Sequence, residues 1–200
     1  MRVVYPSTPA QYFHVLRRHA ASKAKRPLIL IQPKSLLRLP EAASKLSDLT
    51  EGRFQPVIDD PIAAEARNAV TRLVFCTGKI YYDLLAQRKP YLALVRVEEL
   101  YPWPHDAVAK IVDLYPSATE VVWAQEEPKN MGAWTYVSPR LRVSTGNVMI
   151  VRYIGRPERA SPAEGYASAH KAEQDRIIAE VTAERVEPAG SRKRGAVVSS

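Results

Sequence analysis

The sequence has 200 residues, 46% of them hydrophobic and 25% charged, with a net charge of +8; that is enough chain for one domain with a substantial core. No apolar run approaches the ~20 residues a membrane helix needs, and an N-terminus carrying Arg2, Pro6 and Pro9 has no secretory-signal pattern. Cys76 is the only cysteine, which excludes an internal disulfide and a cysteine-rich zinc site and makes a reducing, cytoplasmic setting the expectation.

The first predicted element is a helix beginning S-T-P-A-Q. Thr8 is placed to cap it, Pro9 suits its first position, and Gln11 stands where a capping box wants Glu or Gln. Phe13, Leu16 and Ala20 fall on one face, with Arg17 and Arg18 flanking it. Residues 27–33, an apolar run closed by prolines, predict a strand buried on both faces. Residues 35–39 start a second helical stretch, and Glu51-Gly52 marks a turn.

Residues 73–77 predict a strand, Gly78 a turn, 79–88 a helix and 91–97 another strand. Tyr101-Pro102-Trp103-Pro104 forms a rigid corner, and 107–114 is helical. Residues 120–125 predict a strand and 134–141 a helix interrupted by Pro139. A last strand spans 148–153, and a closing helix spans 168–185. The tail 188–200, with Arg192, Lys193 and Arg194, has a disordered, basic composition. Strands alternating with helices predict an α/β fold: a mostly parallel sheet of about five strands with helices on both faces, in one domain over residues 1–187.

Eight basic residues precede the first acid, Glu41, so the N-terminal forty residues suit an anionic partner or a solvated face. No nucleic-acid module is recognisable, and nucleic acid is not an expected partner. Lys34 and Ser35, at a predicted strand end, suit an anion, though neither GxxxxGK[ST] nor GxGxxG occurs. Arg17, Arg18, Lys34, Ser35 and Arg38 would serve a freestanding anion- or nucleotide-binding module, the alternative reading of the chain.

No catalytic or metal-binding residue is assigned. His14 and His19, five apart on one helix, do not stack as metal ligands, and no GxSxG elbow exists. Glu98/Glu99 and Glu126/Glu127 look like acid pairs, but neighbours on a strand point to opposite faces. One member of each pair is expected to accept hydrogen bonds from a neighbouring loop or an arginine. Cys76, between Phe75 and Thr77, reads as a buried small hydrophobe.

Several runs follow one another in order: T-P-A-Q-Y-F-H-V-L-R-R, R-P-L-I-L-I-Q-P-K-S-L-L-R, L-V-F-C-T-G-K-I-Y-Y-D-L, V-R-V-E-E-L-Y-P-W-P, V-V-W-A-Q-E-E-P-K-N-M-G-A-W and S-P-A-E-G with A-H-K-A-E-Q. Together they resemble the C-terminal domain of the thiamine-dependent first component of the 2-oxoglutarate dehydrogenase complex. The resemblance implies a transketolase C-terminal-like fold. It also implies membership of a homodimer that decarboxylates 2-oxoglutarate on thiamine diphosphate with magnesium and passes succinyl to a lipoyl carrier. The family's cofactor motif and active-site histidines lie in preceding domains, so this chain alone is expected to be inactive and to hold no cofactor. It would then be a split product, a truncated reading frame or an isolated domain.

Docking onto the thiamine-bearing part is expected through Trp103, Gln125, Glu126, Asn130, Trp134 and Arg140. Actinobacterial relatives also bind acetyl-CoA at this domain. Against their pattern, Arg18 is kept and Arg53 replaces a lysine. Arg2 stands for a threonine, Pro56 for a serine, Glu99 for a glutamine, and Asp106 and Ala107 for two phosphate-binding arginines. Losing two cations and gaining an acid is expected to weaken a polyanion by several kcal/mol.

Overall fold

The apolar stretches of the middle of the chain alternate side chains between two cores, and that alternation builds the sheet. In the computed structural model, which describes residues 1–147 and 149–184, the strands are β1 (Arg2–Val4), β2 (Leu28–Leu30), β3 (Val57–Ile58), β4 (Arg72–Cys76), β5 (Leu92–Val97), β6 (Glu99–Tyr101), β7 (Glu120–Pro128) and β8 (Ile150–Arg156). The α-helices are α1 (Pro9–Ala21), α2 (Leu46–Thr50), α3 (Ile80–Ala86), α4 (His105–Asp113), α5 (Trp134–Ser144) and α6 (Ala167–Thr182). Among the described residues, no helix is long and apolar enough to cross a membrane.

The larger sheet has the order β3-β5-β4-β7-β8. β5, β4, β7 and β8 are mutually parallel and β3 is antiparallel to β5. On one face Leu73, Phe75, Ala93, Val95, Val121 and Trp123 pack with α4 and α5. On the other, Val74, Cys76, Leu92, Leu94, Val122 and Ala124 pack with α3 and α6. Burying both faces makes the central strands continuous apolar runs, as the sequence predicts. Cys76 is fully buried, and burial pushes its thiol up to about 12.

A second sheet, β2-β1-β6, joins the N-terminal segment to the middle of the chain. Residues 27–33 therefore do not supply a central strand. β2 pairs in parallel with β1 at this sheet's edge, and Ile29 and Ile31 are exposed. Leu28 and Leu30 cover only a small cluster of Val4, Val15 and Phe54. The fifth strand of the main sheet is instead the two-residue β3, so the sheet is mixed. The start of the predicted strand at Val148, the end of the predicted helix at Arg185, the 187/188 boundary and the tail lie outside the described residues.

Thr8 caps α1 and accepts from the Gln11 amide. The buried face, however, is Ala10, Gln11, His14 and Val15, while Phe13 and Leu16 are exposed. Polar residues turn inward because partners wait there: Gln11 donates to the Gln55 carbonyl at 2.7 Å, and His14 Nε2 lies 2.7 Å from the Asp48 carbonyl. Residues 34–38 form a 3₁₀ turn rather than an α-helix. α5 runs through Pro139; the carbonyl freed by the missing N–H lies on the side where Thr135 and Pro139 are exposed. The corner after β6 contains a cis Tyr101–Pro102 bond.

Gly78, between β4 and α3, has φ +72°, and the ring of Tyr5 lies where a Cβ would stand. Gly78→Ala is therefore expected to cost about 2 kcal/mol, from the left-handed backbone and the displaced ring together. A urea titration reads this directly; an unchanged midpoint would mean that the ring moves aside freely.

Candidate functional site

The carboxyl ends of β4 and β7 open onto a cleft of about 590 Å³ between the two sheets. Val3, Tyr5, Ile31 and Tyr101 form the wall on the small-sheet side, and Ala133 and Tyr136 face them from α5 and the residue before it. Thr77, Gln125 and Glu127 form the floor. The segment from Gln125 to Trp134, which contains the acid pair Glu126/Glu127, borders this cleft.

Gln125 is almost completely buried and organises that loop. Its amide oxygen accepts from the Trp123 indole at 2.9 Å and from the Trp134 backbone amide at 3.1 Å. Its amide nitrogen approaches the carbonyls of Glu127 and Pro128, each at 3.2 Å, and donates to that of Met131 at 2.9 Å. This closes residues 125–134 around one side chain. Trp134 then packs against Tyr153, the rings tilted by 50° with centroids 5.2 Å apart. Asn130 holds the chain near Arg159 by two bonds, to its carbonyl at 2.9 Å and from its amide at 3.1 Å.

The four acids behave differently. Glu98 is buried and accepts from the Ser7 amide and hydroxyl; burial raises its carboxyl above the usual range. Glu99 faces the opposite way and is held by Arg2 at 2.7 Å and Arg18 at 2.8 Å. Both acids thus bind the N-terminal segment, the role expected of one member of the pair. Glu126 pairs with Lys79 at 2.9 Å, and Lys79 also reaches Asp83 at 2.8 Å. Glu127 has no ion-pair partner among the described residues, and burial, with Glu126 nearby, raises its carboxyl. Burial and the same two acids push Tyr5 up to about 12.

The remaining predicted residues are scattered. Arg18 spends its guanidinium on Glu99 and stacks over Phe54 at 4.2 Å. Lys34, Ser35 and Arg38 are exposed on the 3₁₀ turn. Arg53 lines a separate polar cavity of about 370 Å³ with His14 and Arg96. Trp103 donates to Ser144 at 3.2 Å, and Arg140 lies 3.7 Å over the Tyr136 ring. Of the cleft residues, Tyr5 and Tyr136 carry no sequence signal, Tyr101 reads only as part of a rigid corner and Glu127 only as an acid. The one hint is that Val3 and Val4, a β-branched pair just before Tyr5, precede the first proline.

Residues 43–182 match the family model described as 2-oxoglutarate dehydrogenase C-terminal. The chain is 49% identical over 194 residues to the 2-oxoglutarate dehydrogenase E1 component of Exiguobacterium sp. (strain ATCC BAA-1283 / AT1b), covering 92% of this chain and 20% of that protein. It is 51% identical over 180 residues to the protein of the same name from Geobacillus kaustophilus (strain HTA426), covering 86% and 19%. The corresponding Haemophilus influenzae protein is 45% identical over 182 residues, covering 89% and 19%. The chain thus spans about a fifth of the length of the curated relatives it matches.

Proposed function

The chain belongs to the 2-oxoglutarate dehydrogenase C-terminal family, and from that premise we propose that it is the transketolase C-terminal-like assembly part of a 2-oxoglutarate dehydrogenase first component. The observation that carries this is high identity over nearly the whole chain but only 20% of the relative's length. The remaining length of such an enzyme would carry thiamine diphosphate, magnesium and the decarboxylation chemistry, and would pass succinyl to a lipoyl carrier in the tricarboxylic acid cycle. A homodimeric assembly in the cytoplasm belongs to the same reading.

Among the described residues, no three His, Cys, Asp or Glu side chains converge as metal ligands. No step of the decarboxylation is assigned to this chain. Its contribution is positional. The loop closed by Gln125 presents Glu126, Asn130 and Trp134 on a fixed backbone; Arg140 lies over Tyr136 further along α5, and Trp103 stands at the other end of that helix, at Ser144. Aromatic and arginine side chains on a rigid frame are the usual anchors of a protein contact. Gln125 itself serves from inside, by holding the loop's shape.

Co-expression with a thiamine-binding upstream part of a family enzyme, followed by affinity capture and a decarboxylation assay, tests the reading. Association is expected, with activity in the pair and none in this chain alone; no association with any such part would sink it. The same reading includes no acetyl-CoA effector site. Glu99 already occupies Arg18 and Arg2, and Asp106 is an acid where the actinobacterial acetyl-CoA-binding pattern calls for arginine. Calorimetric titration with acetyl-CoA is expected to show no stoichiometric micromolar binding, and such binding would refute this part.

A further inference from the structure

The parallel strands of the main sheet run in the order β5-β4-β7-β8. The chain leaves β4 toward one side to form β5, then crosses back to form β7 on the other. The boundary between β4 and β7 is therefore the sheet's topological switch point. Open α/β sheets bind ligands in the crevice outside the carboxyl ends of the strands at that point. The cleft of about 590 Å³ lies there, with Thr77 just past β4 and Gln125 and Glu127 on β7 in its floor. Its volume falls in the ~300–1,000 Å³ range of small-molecule sites.

We propose that this cleft binds a small organic cation, an ammonium or guanidinium group carried on an apolar body. The walls supply the apolar part through Val3, Ile31, Leu100 and Ala133, and the rings of Tyr5, Tyr101 and Tyr136 supply aromatic surface. Aromatic faces attract cations.

The floor decides the charge. The polar groups of Gln125 are consumed within the loop, and the Thr77 hydroxyl donates to the Val97 carbonyl at 2.8 Å. Lys79 is taken by Glu126 and Asp83. Arg156 is near enough for its charge to lower the Glu127 carboxyl, but it makes no ion pair with it: its terminal nitrogens go to the Pro162 carbonyl at 3.1 Å and to His170 at 2.8 Å, and its Nε faces Glu164 at 3.9 Å. Glu127 is left in the floor as a half-buried carboxyl with no ion pair among the described residues. An anion there would meet Glu126 and Glu127 across a low-dielectric wall; a cation would give Glu127 the direct ion pair that Arg156 does not make. The burial that raises the Glu127 carboxyl acts in the same direction, because a bound cation relieves it.

The test needs no partner protein, so its outcome is separate from that of the docking reading. The chain is titrated with phenethylamine, 2-phenylethanol and 3-phenylpropionate, and backbone amide NMR shifts are followed. The amine is expected to bind at least ~10-fold more tightly than the alcohol, with shifts centred on Glu127, Gly132 and Tyr136, and the carboxylate is expected not to bind. Glu127→Gln should bring the amine down to the level of the alcohol. The wild-type comparison of the three probes stands even if that variant folds poorly. Equal binding of the amine and the alcohol, binding of the carboxylate, an amine preference that survives Glu127→Gln, or no amine binding at millimolar concentration would each overturn the proposal.

Discussion

Gln125→Ala is expected to lower stability by about 4 kcal/mol, with the melting temperature falling by about 8–16 °C. The side chain is buried among Trp123, the loop carbonyls and the start of α5. Its removal strands the Trp123 indole N–H and the Trp134 amide, and leaves the Met131 carbonyl without its donor. Each unsatisfied buried group costs about 1–3 kcal/mol. Gln125→Glu sharpens the result. It keeps the acceptor for both tryptophan donors, but it loses the donor half and buries a charge, so a comparable loss is expected. Urea titration gives the energy, and the near-ultraviolet circular dichroism of the tryptophans reports the loop. A loss under about 1 kcal/mol in both variants would show that the loop closes without this side chain.

Arg72→Met is expected to cost about 3–5 kcal/mol. Arg72 and Glu120 stand opposite each other on β4 and β7, and their side chains meet at 2.7 Å with almost no exposure. Arg72 also donates to the carbonyls of Val181 and Ala183, both at 2.7 Å, and so ties the end of α6 to the sheet. Removing it leaves Glu120 buried with only Arg152, also at 2.7 Å. Adding Glu120→Gln to the variant is expected to recover part of the loss, because the uncompensated charge goes.

The pH dependence follows from the carboxyl's shift. Burial alone would push Glu120 up, but the hydrogen bonds and charges of Arg152 and Arg72 outweigh it and hold the carboxyl below its ordinary value of 4.5. A depressed folded-state pKa contributes stability above the unfolded value, and that stability is lost as pH falls through the folded one. The gap between wild type and Arg72→Met should therefore be full at neutral pH and narrow as acid is added below 4.5. A gap that stays constant with pH would place the effect in packing and the α6 carbonyls rather than in the ion pair.

The central strands were legible because a buried parallel strand writes a continuous apolar run, and 73–76, 91–95 and 121–124 each do so. The α1 cap was legible because Thr8, Pro9 and Gln11 act locally. The second sheet was not. β1 and β6 have three residues each, too few to show a period, and their pairing depends on partners far apart in sequence. The inward turn of Gln11 and His14 was hidden for a related reason. Polar residues read as surface until the groups that satisfy them, near Asp48 and Gln55, are placed beside them. At the site, strand alternation correctly separated Glu98 from Glu99, but Glu126 and Glu127, where the register with β8 shifts, line one cavity together. Alternation could not show that Gln125, a polar residue at the end of an apolar run, is the centre of its loop, because that role needs the chain to fold back to Trp134.

The attachment of the N-terminal segment bears on the order in which the molecule forms. Ser7 bonds Glu98 across 91 residues, and Arg2 bonds Glu99 across 97. Three residues of β1 cannot hold such closures alone, and the cluster around Val4, Val15 and Phe54 is small. Closing so long a span costs entropy that only an already formed partner surface offsets. During synthesis, this segment therefore waits for residues made later: β1 can pair with the nearby β2, but β5 and β6 must be in place before it is joined to the rest of the fold.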